Sequence, residues 1–258
     1  MKVFRIIFFL SIFGLVLFSC KKENKDSEET KTTLPNFGNV ALDEVFKQSD
    51  SQLKNRDSIV SVIDSYYENV WEKGDLWGGF LVAKSDEILY EGYRGFTQEN
   101  KQGPVNDTVA LHVASISKSI TAMAVMKLIE AGKLEMDVPL TKYFPGFPYP
   151  EVTVFTLLSQ RSGLPKYEYF IEKIEPEPAE LSKEYISNQD ILNLLIRYKP
   201  DLARETNTGF MYCNTNYALL ALLVEHATKT PFPEAMQQIV FRPLKMKNTF
   251  ILQEEDME

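Results

Sequence analysis

The chain has 258 residues, 44% apolar and 25% charged, which is a globular mixture and excludes collagen-like, low-complexity and fully disordered chains. A net charge of −8, with 28 Lys and Arg against 36 Asp and Glu, and no basic block argue against nucleic acid as a partner. Only two His (His112, His226) and two Cys (Cys20, Cys213) are present, which argues against a Cys/His zinc site and a multi-disulfide scaffold. No metal and no cofactor are expected.

Residues 1–19 read as a signal peptide. Lys2 and Arg5 precede an uncharged, largely apolar run over 6–18, shorter than the about 20 residues that a membrane-spanning helix needs. The run ends in Leu17-Phe18-Ser19-Cys20, which resembles the lipobox of bacterial lipoproteins. That resemblance implies lipidation of Cys20 and export to the cell envelope, with the chain held to a membrane on its periplasmic or surface face. A plain signal peptide with an incidental cysteine is the alternative. Residues 20–56 are expected to form a flexible tether and N-terminal extension, since 21–36 hold no aromatic residue and one Leu. With Cys20 lipidated, Cys213 has no disulfide partner and is expected to be a small buried apolar side chain.

Over 57–74, Ile59, Ile63, Tyr66, Tyr67, Val70 and Trp71 recur at helical spacing, with Gly74 as the stop. Short β-prone runs at 80–83 and 88–90 around a polar turn predict a hairpin. A loop over 97–107 leads to a buried helix over 115–131 that Gly132 stops. Prolines 139, 145, 148 and 150 punctuate an irregular stretch, and a short helix is expected over 154–159. Ser187 and Asp190 have the spacing of a capping box opening a helix that must end before Pro200. Two more helices are expected over 216–228 and 233–240. A helix and a hairpin followed by a helical region make an α+β chain, with the folded domain placed at 57–258.

No Gly-x-Ser-x-Gly elbow, Walker A motif or dinucleotide glycine pattern is present. A Ser-His-Asp triad fits poorly, because His226 lies on an apolar helix and His112 only three residues before Ser115. Ser-x-x-Lys remains. With 16 Ser and 21 Lys, roughly one such pair falls by chance, and there are three: Ser19–Lys22, Ser51–Lys54 and Ser115–Lys118. Only the third opens an apolar helix, where positions i and i+3 share a face and place an amine beside a hydroxyl. A serine there also has its own N–H free to point at a developing oxyanion. The plain alternative is a serine cap followed by a solvated lysine.

Context favours the chemical reading. His112-Val113-Ala114-Ser115-Ile116-Ser117-Lys118 resembles the nucleophile segment of the serine β-lactamase-like family, which includes class C β-lactamases, D-alanyl-D-alanine carboxypeptidases and related esterases. Leu157-Leu158-Ser159-Gln160-Arg161-Ser162-Gly163-Leu164-Pro165 is similar to that family's LLTHTSGLP segment, with Gln160 and Arg161 in place of His-Thr. Tyr212-Cys213-Asn214 resembles its Tyr-x-Asn motif, and Pro243-Leu244-Lys245-Met246-Lys247-Asn248-Thr249 another recurrent phrase. The resemblance implies a β-lactamase/transpeptidase-like fold, a helical subdomain beside an antiparallel sheet with flanking helices. It implies a serine hydrolase acting through an acyl-enzyme on β-lactam, D-Ala-D-Ala peptide or ester substrates. Ser115 would be the nucleophile, Lys118 and Tyr212 would share its proton, and Asn214 would bind substrate and tether Lys118. The implied partners are a small molecule or a peptidoglycan peptide.

The family also carries a Lys-Thr-Gly or His-x-Gly motif on a later strand. The nearest match, Lys229-Thr230-Pro231, is expected to close a helix instead. With that motif would go a cation supporting Tyr212, a second oxyanion donor and the strands completing the sheet. The expectation is therefore a C-terminally truncated member with an incomplete sheet, the alternative function being an inactive or binding-only relative anchored in the envelope.

Overall fold

The periodic apolar residues after Asp57 form α1 (Arg56–Tyr66), entered from Asn55 in the left-handed conformation. The computed structural model describes residues 55–84, 87–97, 103–175, 178, 181 and 185–253. The signal peptide, Cys20 and nearly all of the tether lie outside these residues. Helix α1 runs into a π-turn over Tyr67–Glu72, so the single helix expected over 57–74 has two hydrogen-bond patterns. The wider turn keeps Tyr67 and Trp71 on one face, their rings stacked 6.4 Å apart, where both meet the hairpin.

Strands β1 (Gly78–Lys84) and β2 (Glu87–Arg94) pair antiparallel, from Gly78 opposite Arg94 to Lys84 opposite Glu87, with an irregularity between Val82 and Ala83. Both run longer than their apolar cores at 80–83 and 88–90 because glycines interrupt the β-prone pattern. At Gly92 a Cβ would sit 3.0 Å from the Tyr67 ring, and at Gly79 3.3 Å from the Tyr93 ring. These glycines are where aromatic rings press on the strand backbone. A two-stranded hairpin is marginal alone. This one is covered by Tyr67, Trp71, Phe80 and Tyr90, whose ring centroids lie 5.2–6.4 Å apart. Arg94 ties it to the π-turn by donating to the Trp71 and Glu72 carbonyls and pairing with Asp75.

The remaining elements are helical: α2 (Ser117–Glu130) after a 3-10 turn at Ala114–Ile116, α3 (Val154–Leu158), α4 (Tyr167–Phe170), α5 (Asn188–Tyr198), α6 (Asn214–Thr228) and α7 (Phe232–Met236), which continues as a π-turn over Gln237–Phe241. Helix α6 is buried nearly all round, as its apolar stretch from Tyr217 to Val224 requires, and packs against α2, α3, α5 and α7. It starts two residues before the apolar run from 216, because Asn214 and Thr215 are polar and hide its first turn. The capping boxes Thr153–Thr156 and Ser187–Asp190 open α3 and α5. The proline-rich stretch is irregular as expected, yet Tyr143, Phe144, Phe147 and Tyr149 from it all enter the core. Helices beside a two-stranded antiparallel sheet make the α+β class.

Candidate active site

Ser115 sits in the 3-10 turn, two residues ahead of α2. The residue before it, Ala114, has φ 44°, a left-handed conformation that costs an alanine about 1–2 kcal/mol and marks a strained approach to the helix. Hydroxyls absorb the carbonyls of this entry: Ser117 donates to Ala114 O, Ser119 to Ile116 O and Thr121 to Ser117 O, at 2.7, 2.7 and 3.1 Å. The side chain of Ser115 takes no part in this and is exposed. Among the described residues its main-chain N–H has no main-chain acceptor. One turn along, Lys118 Nζ donates to Ser115 Oγ at 3.1 Å, as the i, i+3 spacing requires.

Tyr212 arrives from 97 residues away, its Oη 2.6 Å from Ser115 Oγ. Lys118 Nζ lies 5.1 Å from the Tyr212 ring centre and 5.8 Å from that of Tyr217. Hydrogen bonding to Lys118, then to Ser115, and the Lys118 charge together hold the Tyr212 phenol below its ordinary range, against the opposing effects of burial and Glu168. Ser115, Lys118 and Tyr212 therefore form one cluster in which a hydroxyl and an amine meet a phenol held below its ordinary range.

Asn214, the fourth expected residue, opens α6 close by, but its side chain is engaged elsewhere. Its Nδ2 donates to Glu168 on α4, and its Oδ1 is buried without a donor, so the tether from Lys118 to Asn214 is not made. Lys118 directs its hydrogen bond to Ser115 instead. Cys213 is buried against the Leu164 and Pro165 carbonyls, and burial pushes its thiol up, which makes it an unreactive core residue. His226 lies in the last turn of α6, about 18 Å along the helix from Asn214, with its ring edge-on to Tyr143 and Phe144. Lys229, Thr230 and Pro231 follow the C-terminus of α6, with Lys229 in the left-handed capping position, as expected of a helix end.

The profile of the family described as Beta-lactamase matches residues 63–258, most of the chain. The chain belongs to the beta-lactamase family. Among curated relatives of this family member, penicillin-binding protein 4* of Bacillus subtilis (strain 168) is 31% identical over 188 residues, covering 72% of the chain and 40% of the relative. The chain thus spans about two fifths of that relative's length. Among solved structures, a penicillin binding protein from Bacillus halodurans superposes with a TM-score of 0.63 at 27% identity, over 74% of this chain and 57% of the other. D-amino acid amidase from Ochrobactrum anthropi SV3 gives a TM-score of 0.52 at 26% identity, over 64% and 44%. The fold is that of penicillin-binding proteins, and the chemistry of the family is that of serine hydrolases.

Two residues of this beta-lactamase-family site were given no role there by the sequence. Glu168 lies on a four-residue helix with no periodic signal, yet it holds Asn214 and opposes ionisation of Tyr212. Gln160 stood out only as a departure from the family segment. It is buried, and its Oε1 accepts from both Cys213 N and Asn216 Nδ2.

Proposed function

We propose that this chain is a serine hydrolase that forms an acyl-enzyme on Ser115, with the carbonyl of a β-lactam, a D-Ala-D-Ala peptide or an ester as its target. The observation that carries the reading is the 2.6 Å contact between Ser115 Oγ and Tyr212 Oη, with Lys118 Nζ on the same hydroxyl. Once Tyr212 has lost its proton, its phenolate takes the Ser115 proton as Oγ attacks the carbonyl carbon. The Ser115 N–H, which no main-chain acceptor takes among the described residues, donates to the oxygen on which charge develops. The tetrahedral adduct expels the amine or alcohol, which leaves with the proton held by Tyr212. Water then attacks the acyl carbon, its proton passes to the same phenolate, and Ser115 leaves as a hydroxyl again. Lys118 keeps Oγ in line and supports the phenolate by charge. A relative named for penicillin binding and a neighbour named as a D-amino acid amidase support amide carbonyls, β-lactams included, as the first substrates to try.

Incubation of the purified chain with a fluorescent penicillin and with a fluorophosphonate, followed by intact mass and peptide mapping, tests this. An adduct on Ser115 is the expected result, and no adduct from either probe would overturn the proposal.

The electrostatics give a second expectation. The Glu168 carboxylate disfavours the Tyr212 phenolate, so Glu168→Gln lets Tyr212 ionise at lower pH. The rise of Ser115 acylation rate with pH should then begin earlier than in the wild type, while the glutamine carbonyl still accepts from Asn214. Stopped-time labelling across pH 6–10 reads the shift, and an unmoved or upward-moved limb would remove Tyr212 from the role of base.

We also propose that Cys20 carries the lipid that attaches the chain to the cell envelope. Metabolic labelling with a radioactive fatty acid should mark the wild type and not Cys20→Ala, and equal labelling of both would dismiss the anchor.

A further inference from the structure

We propose that Gln160 is the positioning residue of this site: its buried amide and main-chain carbonyl grip the chain on both sides of Tyr212 and set the phenol on Ser115. This rests on the serine-hydrolase reading above and deepens it.

Tyr212 is 40% exposed, so packing covers its ring only in part. The main-chain N–H groups on either side of it both bind one residue. The Met211 N–H donates to Gln160 O at 2.8 Å, and the Cys213 N–H donates to Gln160 Oε1 at 2.9 Å. The same Oε1 accepts from Asn216 Nδ2 at 2.6 Å, and Asn216 Oδ1 accepts from Ser162 Oγ at 2.6 Å. Ser162 Oγ in turn accepts from Leu164 N at 3.1 Å. Gln160 is 7% exposed, Ser162 1% and Asn216 0%, so these bonds form without competition from water. Gln160 also has φ 57°, the left-handed conformation in which its carbonyl and side chain both serve the 211–216 segment. A residue bound on one side only could swing its phenol about that point. With Met211 and Cys213 both fixed, the Tyr212 backbone is bracketed and its ring direction is set before substrate arrives.

Neither Oε1 bond survives a change to methionine, which has similar length but only a weakly accepting thioether, and two buried N–H donors are left unpaired. Glutamate retains the accepting oxygen. Asparagine retains the amide one methylene short, and among non-glycine residues it tolerates the left-handed conformation well, so it serves where methionine prevents folding.

The test measures the second-order rate of fluorophosphonate attachment to Ser115 and its pH profile for wild type, Gln160→Met, Gln160→Asn and Gln160→Glu, each first checked for a cooperative thermal transition. In the folded variants Gln160→Met and Gln160→Asn, the rate should fall about 100-fold, the penalty for an ångström-scale misplacement. The rise of rate with pH should also move upward, because a displaced Tyr212 loses the support of Lys118 and Ser115. Gln160→Glu should recover most of the rate at the top of its pH limb, that limb lying above the wild type's because a carboxylate near Tyr212 disfavours the phenolate. Should Gln160→Met fail to fold, Gln160→Asn decides alone. A structural role without positioning would lower the fraction of protein that labels and leave the rate constant and pH profile of that fraction as in wild type, which would overturn the inference. Unchanged rates in all variants beside a labelling wild type would overturn it and spare the hydrolase reading, whereas a wild type that never labels overturns both.

Discussion

Replacing Ser115 with alanine is expected to abolish covalent labelling by both a fluorophosphonate and a fluorescent penicillin, with the thermal transition retained. Ser115 is exposed and its side chain contributes only contacts to Lys118 and Tyr212, so its loss leaves no cavity and no buried group unpaired. Its two partners should behave differently from it and from each other. Tyr212→Phe keeps the ring but removes the atom 2.6 Å from Ser115 Oγ, and acylation should slow by about 10²–10⁴-fold, the ordinary worth of a general base. Lys118→Ala removes both the donor to Oγ and the charge that holds the Tyr212 phenol low, so the remaining activity should need a higher pH than wild type. Rates from time-resolved intact mass at several pH values separate the three. Labelling that persists on Ser115→Ala at the same peptide would show that another nucleophile reacts. A Tyr212→Phe rate within a factor of two of wild type would pass the base to Lys118.

The parts of this site that are local in sequence were legible, and those that depend on distant segments meeting were not. Ser115 and Lys118 are one helical turn apart, so spacing alone puts amine and hydroxyl together. Tyr212 shares no local pattern with them, and only the family resemblance brought it forward. The same resemblance implied an Asn214–Lys118 tether that the structure does not make: Asn214 Nδ2 donates to Glu168, and Oδ1, the atom that a lysine would bind, has no donor. No periodicity announces Glu168, since a four-residue helix is too short to show any. Gln160 was visible as a departure from the family segment, but its meaning depends on residues 160 and 211–216 lying side by side, and no pattern within either segment encodes that. In the fold, helix caps were legible through Ser187 and Asp190, while strand ends were hidden by glycines that make room for Tyr67 and Tyr93.

The largest stability effect is expected from Gly163→Ala, in the segment that supports the site from below. Gly163 has φ +74°, a conformation that costs an alanine about 1–2 kcal/mol. A Cβ there would also lie 1.9 Å from the Arg204 carbonyl oxygen and 2.9 Å from its carbon. Those atoms are backbone and cannot rotate away. They are held there because Gly163 O accepts from Ala203 N at 2.9 Å and Arg204 N at 3.3 Å, and Thr206 Oγ1 donates to the neighbouring Ser162 O at 2.8 Å. Relieving the clash means moving the 203–206 turn, at about 1–3 kcal/mol for an overpacked site. The sum, about 2–5 kcal/mol, is a large share of the about 5–15 kcal/mol that holds a typical domain folded. Gly132→Ala is the matched control: φ is +67° and nothing lies within 4 Å of the added Cβ, so only the conformational part applies. Denaturant unfolding of the two variants should place Gly163→Ala below Gly132→Ala by the overpacking share alone. Equal losses would mean that 203–206 yields freely, and a segment that yields so easily could not anchor the 205–213 run that brings Tyr212 onto Ser115.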